Sequence, residues 1–427
     1  MNRRGLPAAA VALVLALAAT IWRRLLWRTT VIAITGSDGK TTAKECLAAI
    51  LEQRAPTLKT ALNNNGRLEA PRTLLRVRPW RHRFAVIEVG LDRGGGQLAR
   101  ASWMLRPDVV WIVSVAQSHS NKLRSEDEIA RAKAGLLRFA SRRGVAVLNA
   151  DDARVAAMAS RAPGRVLHYG RAAAADVRAD AVSSRWPERL RFTAHAGGES
   201  AAVATRLVGE HWLGSALGAL AAARACGVGL AESAAALATV SPFPGRMEPV
   251  TLPGGAVVLR DDFKGSAAGF RVAMKALGEA RAARRVAVVG HCSDLGRERN
   301  RGPAHFVADL AVAHADVAVF VGPSAGRAAE RAVRSGMAPE SVHHAESPAD
   351  SAELMARVVR PGDVVLLKGE RRLHLARLFF AQFGPVACRL ASCERQMLCD
   401  TCGALGARPQ TGDPFAGIRA FQLPEGR

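Results

Sequence analysis

Residues 29–53 read TTVIAITGSDGKTTAKECLAAILEQ. The β-branched run from Thr30 to Thr35 predicts a strand, a Gly-containing turn follows it, and an apolar-periodic helix begins at about Lys40. A strand, a loop with Gly-Lys-Thr and a helix form the arrangement that cradles nucleotide phosphates. The segment therefore predicts an α/β domain that binds a nucleotide.

Each part of this segment has a predicted role. Backbone N–H groups of the turn and the positive end of the helix would face an anion, Lys40 would reach the outer phosphates, and Thr41 would bind magnesium. Ile34 stands five residues before Gly39, where the general phosphate-loop pattern has glycine, so the loop is shorter than that pattern. The predicted nucleotide-binding residues here are Gly36, Ser37, Asp38, Gly39, Lys40, Thr41 and Thr42.

The composition excludes several classes of protein. The chain has 427 residues, which predicts about three domains, and its 49% hydrophobic and 23% charged residues exclude general disorder. A net charge of +23 indicates an anionic partner or an arginine bias, while 5% aromatic residues and no recognised nucleic-acid module favour no nucleic-acid partner. Seven cysteines are too few for a disulfide scaffold, so a reducing compartment is expected.

The N-terminal region has the pattern of a membrane anchor. A charge-free, mostly apolar run from Leu6 to Trp22 lies between MNRRG and RRLLWR. A signal peptide cleaved near Ala16-Leu17-Ala18 is the alternative, but the phosphate loop that follows indicates ATP, which is cytoplasmic. We expect a single-pass anchor in the inner membrane, with the catalytic domains in the cytoplasm because arginines are more numerous after the run.

The form TGSDGKTT resembles the Mur ligase family, ATP-dependent enzymes that join a carboxylate to an amine through an acyl phosphate. Other stretches follow in that family's order and extend the resemblance over about residues 30–380. They are NNNGRLEAPRTLL (63–75), FAVIEVGLDRGGGQL (84–98), RPDVVWIVSVAQSHSNKLRSEDEIARAKAGLL (106–137), VAVLNADD (145–152), GEHWLGSALGALAA (209–222), PFPGRME (242–248), VVLRDDFKGS (257–266), VAVVGHCSDLG (286–296) and VVLLKGER (364–371). The family branch that adds D-alanyl-D-alanine to a UDP-linked muramoyl tripeptide is the most similar.

The resemblance implies a set of catalytic and metal-binding residues. Lys40, His119 and Lys133 are the implied catalytic residues, and Thr41, Glu88 and His119 the implied magnesium site. In the family the lysine that corresponds to Lys133 is carbamylated and so becomes a carboxylate. A solvated lysine on a helix is the alternative for Lys133.

Further positions match the family's nucleotide and substrate contacts. Asn149 and Asp152 would hold adenine or ribose, and Arg246 would contact the nucleotide from the linker between two domains. Asp262 would engage the nucleotide from the second domain, and Lys368 would steady a substrate carboxylate. A structural role is the alternative for each of them.

Several positions depart from the family's pattern. We expect only the anchor, and no UDP-binding domain, before the phosphate loop, and serine stands at 114 and 215 where the family has asparagine. Gly135 replaces a glutamate, and Phe263-Lys264 replaces a Tyr-Asn pair. These differences favour an active ligase with another acceptor, whose substrates are a muramoyl peptide or an amino-acid polymer. A membrane-anchored polyglutamate-type ligase and a non-catalytic ATP-binding scaffold are the alternatives.

Four cysteines cluster near the C-terminus, at Cys388, Cys393, Cys399 and Cys402. Four thiolates suit a structural tetrahedral zinc ion, and free thiols are the alternative. We therefore expect an anchor over 1–29, an ATP-binding domain with a phosphate loop and a mostly parallel sheet over 30–245, and a Cys-containing tail over 386–427. Between them, 246–385 would form a smaller Rossmann-like α/β domain with strands near Val257, Val286, Val317 and Val364.

Overall fold

A computed structural model describes residues 8–92, 96–116, 125–292, 294–295, 302–390, 392–395 and 397–406. The chain divides into two compact units. The first contains Met1–Val182, Arg191–Thr205 and Trp212–Val240. The second contains Ser183–Leu190, Arg206–His211 and Ser241–Arg427.

The first unit is built on a nine-stranded sheet with the order β2-β3-β1-β4-β5-β6-β7-β8-β9. Its strands are β1 Thr30–Thr35, β2 Thr57–Lys59, β3 Phe84–Glu88, β4 Val109–Ile112, β5 Val145–Asn149, β6 Arg165–Gly170, β7 Val177–Ser183, β8 Arg191–Ala196 and β9 Glu199–Ala204. Pairing is parallel from β2 across to β7, and β8 and β9 form an antiparallel pair.

Helices complete the first unit. They are α1 Ala8–Leu25, α2 Lys40–Arg54, α3 Glu69–Leu75, α4 Gln97–Leu105, α5 Glu126–Ala134, α6 Ala153–Ala156, α7 Leu213–Ala225 and α8 Leu230–Leu237. The bounds of β1 and the start of α2 confirm the predicted strand and helix. The core is continuous through the buried faces of β1, β3 and β4.

The position of β1 in the sheet creates a binding crevice. The chain runs from β1 to β2 and β3 on one side and then crosses to β4 on the other, and β1 pairs with both β3 and β4. In an open parallel sheet, ligands bind outside the carboxyl ends of the strands at such a reversal of strand order. The loop after Thr35 lies at that place.

Helix α1 packs along the first unit, where it contacts α3 and α4. The Trp22 indole donates a hydrogen bond to the Val77 carbonyl at 2.9 Å, and Arg23 pairs with Asp108 at 3.0 Å. Within the described residues, no helix is sufficiently long and apolar to cross a membrane, so the expected spanning anchor is not supported.

The second unit contains a six-stranded sheet with the order β10-β11-β15-β12-β13-β14. Its strands are β10 Glu248–Thr251, β11 Val257–Asp261, β12 Arg284–Val289, β13 Val317–Val321, β14 Val342–Ala345 and β15 Asp363–Lys368. All pairs are parallel except β10 with β11. Its helices are α9 Ala267–Gly278, α10 Pro303–His314, α11 Ala325–Arg334, α12 Pro348–Val358 and α13 Ala376–Ala381. The four predicted strands are confirmed.

The described part of the cysteine-containing segment packs on the second unit. Cys399 and Leu405 belong to that unit's hydrophobic core. Asp400 is buried and accepts two hydrogen bonds from Arg260, at 2.7 and 3.0 Å. Residues 397–406 therefore contribute to the core of the second unit.

Candidate active site

The turn after β1 has the backbone shape that an anion site requires. Gly39 has φ of 81°, in the left-handed region that favours glycine, and a Cβ there would lie 2.8 Å from Ser215 Oγ. Helix α2 begins at the next residue, so its N-terminal N–H groups and the positive end of its dipole point towards the turn. Gly36, Ser37, Asp38 and Gly39 make up this turn, which the sequence predicts to bind phosphate.

The loop is held on one side by the segment that follows β4. The Asp38 amide donates to Ser114 Oγ at 3.1 Å, and the same hydroxyl donates to the Asp38 carbonyl at 3.0 Å. Ser37 donates to the Ala116 carbonyl at 2.8 Å. The serine that replaces the family's asparagine at 114 therefore holds the loop through both of its hydrogen-bonding functions.

The second substituted serine supports the same loop from helix α7. Ser215 is buried, and its hydroxyl donates to the Gly39 carbonyl at 3.2 Å. This contact orients the last peptide of the turn before α2. Both departures from the family's asparagine thus retain polar contacts with the phosphate loop.

Lys40 points back across the turn. Its Nζ donates to the carbonyl oxygens of Gly36 at 2.6 Å and Ser37 at 3.3 Å. The ammonium group therefore lies over the loop, from which it can reach a bound phosphate. Thr42, which follows on the first turn of α2, is buried in the unit and contributes to packing.

Thr41 and Glu88 meet at the carboxyl ends of β1 and β3. The Thr41 hydroxyl donates to Glu88 Oε2 at 3.2 Å, and both side chains are buried. Asn65 Nδ2 donates to the other carboxylate oxygen, Oε1, at 2.7 Å. The buried Glu88 carboxylate and the Thr41 hydroxyl beside it offer hard oxygen atoms, the type of ligand that magnesium prefers.

Asn65 is a site residue that the sequence analysis did not single out. Its carbonyl accepts a hydrogen bond from the Gly90 amide at 3.1 Å, and a Cβ on Gly90 would lie 2.6 Å from that oxygen. The close approach of the two segments requires glycine at 90 and brings Asn65 to Glu88. The signal was present in the Asn-rich run 63–65, but only the fold shows which asparagine reaches the carboxylate.

Lys133 lies on α5 and is only 2% exposed. This burial contradicts the solvated-lysine alternative, since the free energy of burying an ammonium group is high unless it is paired or modified. His119 lies outside the described residues.

Asn149 and Asp152 follow β5, where the structure gives both of them local partners. Asn149 Nδ2 donates to the Val113 carbonyl at 3.1 Å. Asp152 caps α6 and accepts a hydrogen bond from the Val115 amide at 2.6 Å. These contacts connect the loop after β5 to the loop after β4, beside the phosphate loop.

In the second unit, Arg246 and Asp262 lie close to the Pro-Gly-Arg turn. The Arg246 guanidinium lies 5.2 Å from the Phe263 ring centre, which can hold the side chain in place. Asp262 is buried, and its Oδ1 lies 3.4 Å from Arg260 Nε. Burial raises the pKa of Asp262, and Arg260 opposes this shift.

The ammonium group of Lys368 is buried and forms its hydrogen bonds within the second unit. The residue is 1% exposed, and its Nζ donates to Asp261 Oδ2 at 2.7 Å and to the Lys264 carbonyl at 2.6 Å. The ring centre of Phe270 is 5.4 Å from the same nitrogen. The structure thus places Lys368 in a buried ion pair between the ends of β15 and β11.

The four clustered cysteines line one pocket together with His374 and Arg377. Cys402 Sγ accepts a hydrogen bond from Arg395 at 3.2 Å, and Cys399 Sγ lies 3.0 Å from His374 Nδ1. Burial, together with the nearby Asp262 and Asp400, raises the pKa of the Cys399 thiol.

Among the described side chains, no three His, Cys, Asp or Glu residues are placed to hold a metal ion. The expected zinc site at Cys388, Cys393, Cys399 and Cys402 is therefore not supported. Arginines instead contact the sulfur atoms, and their positive charge would repel a cation. Arg377 approaches Cys388 Sγ at 3.7 Å.

Comparison with known families identifies both units. The family model for the Mur ligase middle domain matches residues 34–223, and the model for the Mur ligase glutamate ligase domain matches residues 245–371. A UDP-N-acetylmuramoyl-tripeptide–D-alanyl-D-alanine ligase of Mycobacterium tuberculosis is 31% identical over 384 residues, which are 84% of this chain and 74% of the relative.

Solved structures agree with these matches. A crystal structure of MurF from Acinetobacter baumannii superposes with a TM-score of 0.77 at 28% identity, and the match covers 87% of this chain and 80% of that one. Folylpolyglutamate synthase of Mycobacterium tuberculosis, complexed with ADP, has the same fold with a TM-score of 0.66 at 17% identity. That match covers 84% of this chain and 92% of the synthase.

Proposed function

Because this chain belongs to the Mur ligase family, whose members are ATP-dependent ligases, we propose that it joins the carboxylate of a muramoyl tripeptide to the amine of D-alanyl-D-alanine. The reaction forms an amide bond in peptidoglycan precursor synthesis and consumes ATP. The relative from Mycobacterium tuberculosis carries that activity in its name, and this chain spans 74% of it.

One observation carries the proposal. The carboxyl edge around β1 brings together a phosphate loop, Lys40 above it, and the Thr41–Glu88 pair at 3.2 Å. This arrangement supplies anion-binding N–H groups, a cation and hard oxygen donors beside one another. Transfer of a phosphoryl group to a carboxylate requires all three, since two anions must approach each other.

The residues of the first unit account for the chemistry. A carboxylate oxygen attacks the γ-phosphorus of ATP, the bond to the bridging oxygen breaks, and ADP leaves. The amine then attacks the acyl carbon, the carbon–oxygen bond to phosphate breaks, and phosphate and a proton are released. Lys40 and the loop N–H groups bind and orient the phosphates, so their positive charge is in position before the reaction.

Glu88 and Thr41 are the proposed magnesium-binding residues, together with His119. Magnesium would neutralise charge on the transferring phosphoryl group. Asn65 positions Glu88 through its hydrogen bond of 2.7 Å. Asn149, Arg246 and Asp262 are proposed to contact the nucleotide.

Lys133 is the proposed site of carbamylation. Its burial fits a modified amine better than a solvated one, and a carbamate would supply an additional carboxylate. With ¹³C-labelled bicarbonate, the protein should give a carbamate NMR signal that is absent in Lys133→Ala. A signal that persists in the variant would contradict the assignment.

The direct test measures phosphate release from ATP by the full chain. We expect release only when UDP-muramoyl tripeptide and D-alanyl-D-alanine are both present, with a product mass that equals the two substrates minus water. Lys40→Ala should lower the rate by about 100-fold or more. Lys275→Ala, which removes an exposed lysine on α9, is the matched control and should retain the full rate.

Other results would redirect the function. Release with glutamate and a glutamate-accepting acid, but not with the muramoyl pair, would identify a polyglutamate-type ligase. Tight ATP binding without release for any pair would favour a non-catalytic scaffold.

A further inference from the structure

Helix α1 exposes a stripe of large apolar side chains, which we call the α1 stripe. Its members recur every three or four residues and therefore lie on one face of the helix. They are Leu13, Val14, Leu17, Ile21 and Leu25, with exposed fractions from 48% to 66%. A contiguous exposed apolar surface of this kind marks an interaction site.

The opposite face of α1 is fixed to the first unit. Ala12 and Ala19 are buried there, and so is Leu26, directly after the helix. Arg23 Nε donates to the Leu105 carbonyl at 2.6 Å, in addition to its ion pair with Asp108. The α1 stripe is thus presented by a docked helix whose orientation the fold determines.

Two exposed tryptophans extend the stripe at its C-terminal end. Trp27 is 81% and Trp80 is 77% exposed. The segment that carries Trp80 lies next to the end of α1, because the Thr29 hydroxyl donates to the His82 carbonyl at 2.7 Å and Arg83 donates to the Arg28 carbonyl. Tryptophan is enriched where a bilayer's apolar core meets water, since its ring is apolar and its N–H is polar.

Arginines surround these tryptophans. The exposed members of this arginine cluster are Arg24, Arg28, Arg76, Arg78, Arg81 and Arg83. Within the described part of the chain, no carboxylate forms an ion pair with any of the six. Burial, and after it the positive charges of Arg81, Arg78 and Arg76, lower the pKa of His82.

We propose that the α1 stripe and the arginine cluster form a docking surface for an anionic lipid bilayer, with α1 lying in the plane of the headgroups. Apolar side chains would enter the acyl boundary, the tryptophans would lie at the interface, and the arginines would bind lipid phosphates. Apolar burial and attraction to anionic lipid together determine the strength of such binding.

A bilayer fits this surface better than a second copy of the chain does. A symmetric pair would use the same patch on both partners and would bring two arginine clusters to one interface. Like charges without counter-ions disfavour that contact. A spanning orientation would require α1 to lose its contacts with Val77, Leu105 and Asp108.

The proposal is tested by flotation of the purified full chain with vesicles. Vesicles of phosphatidylcholine with about one third phosphatidylglycerol should bind the protein, and pure phosphatidylcholine vesicles should bind it much more weakly. Raising the salt to about 0.5 M should lower binding severalfold. The double variant Leu17→Asp/Ile21→Asp should weaken partition into anionic vesicles by about tenfold or more.

The matched control is Val272→Asp/Val333→Asp, which places the same charges on exposed helix positions of the second unit. This control variant should bind vesicles as the unaltered protein does. Both double variants should have the melting temperature of the unaltered protein. Failure to bind anionic vesicles, or equal binding by the α1 variant, would overturn the proposal. A dimer of the chain that Ile21→Asp dissociates would also overturn it. So would vesicle-bound protein that alkaline carbonate does not extract, since such protein has a helix that spans the bilayer.

Discussion

Charged side chains lie both at the carboxyl edge of the first sheet and in a buried cluster of the second unit, around Arg260. Their surroundings differ. Around β1, Lys40, Thr41 and Glu88 follow strand ends and contact backbone groups or each other across a crevice. In the second unit, Arg260 lies near the end of β11 but is enclosed by carboxylates. Its partners are Glu248 at 3.1 Å, Asp400 at 2.7 Å and Asp262 at 3.4 Å.

The difference shows that a charged residue near a strand end is not by itself a ligand site. Arg260 is 1% exposed, and the rings of Phe379 and Phe380 lie 4.6 and 5.3 Å from its guanidinium carbon. Burial opposes the charged form, but the three acids hold the pKa of Arg260 above its ordinary value. Substitutions in the cluster should therefore change stability, and substitutions at the edge should change chemistry.

The largest effect is expected from Arg260→Met. It would leave three buried carboxylates without their cation, which should lower the free energy of unfolding by about 3–5 kcal/mol. Urea unfolding measures this change. The control is Arg285→Met, which removes a surface pair with Asp316 and should cost about 1 kcal/mol or less. If both variants lost the same free energy of unfolding, the buried cluster would be no more important for stability than a surface ion pair.

At the carboxyl edge, Glu88→Gln keeps the side chain's shape but removes the charge that the magnesium site needs. Phosphate release with both substrates should fall about 100- to 1,000-fold. The melting temperature should change little, because the amide oxygen can still accept from Asn65 Nδ2 while the amide N–H donates to the Thr41 hydroxyl. Glu330→Gln, on an exposed face of α11, is the matched control. Full activity of Glu88→Gln would contradict the site assignment.

Glu248 should make the stability of the second unit dependent on pH. Burial raises its pKa to about 7, with Arg260 opposing and Asp400 adding to the shift. The folded state then holds a proton that the unfolded chain releases above its ordinary value of 4.5.

The stability contribution of Glu248 is therefore complete below about pH 4.5 and is lost as pH rises through about 7. We expect Glu248→Gln to reduce the fall in stability between pH 5 and 8 by roughly 1–3 kcal/mol. Urea midpoints at several pH values measure it. Parallel pH profiles for the two proteins would show that Glu248 does not titrate in this range.

The smallest effect is expected from Ser215→Ala, which removes the hydrogen bond to the Gly39 carbonyl. A neutral hydrogen bond contributes about 0.5–1.5 kcal/mol, so ATP affinity should fall roughly 2- to 10-fold. Isothermal titration calorimetry measures this change, with the exposed Ser160→Ala as control. Unchanged affinity would mean that the phosphate loop keeps its shape without this contact.

Much of the local structure of the candidate site could be predicted because its signals are local. The strand Thr30–Thr35, the turn and the start of α2 at Lys40 lie within a dozen residues, and their pattern needs no distant contact. Glu88 could be placed for the same reason, since it ends an apolar strand. Asn65 was missed because three adjacent asparagines give the same pattern, and only the approach of Gly90 selects one.

The N-terminal segment and the cysteine cluster are two places where the structure does not support a prediction made from a local pattern. The apolar run before the phosphate loop has the composition of a spanning helix, but Trp22 and Arg23 attach α1 to the first unit. The cysteine spacing suits zinc, but arginines occupy the positions around the thiols. The contacts of α1 come from residues 55 and 85 positions away in the chain, whereas the arginines at the thiols lie only 11 and 7 residues from their cysteines.

By itself, the sequence determined the strand–loop–helix unit, the positions of several main strands along the chain and the family, since periodicity and short motifs depend on neighbours along the chain. The tertiary structure decided which charges are paired. Lys368 pairs with Asp261. Arg260 pairs with Asp400, which lies 140 residues further along the chain. The electrostatic energy of a charge depends on what surrounds it in space, so no local pattern could assign those partners.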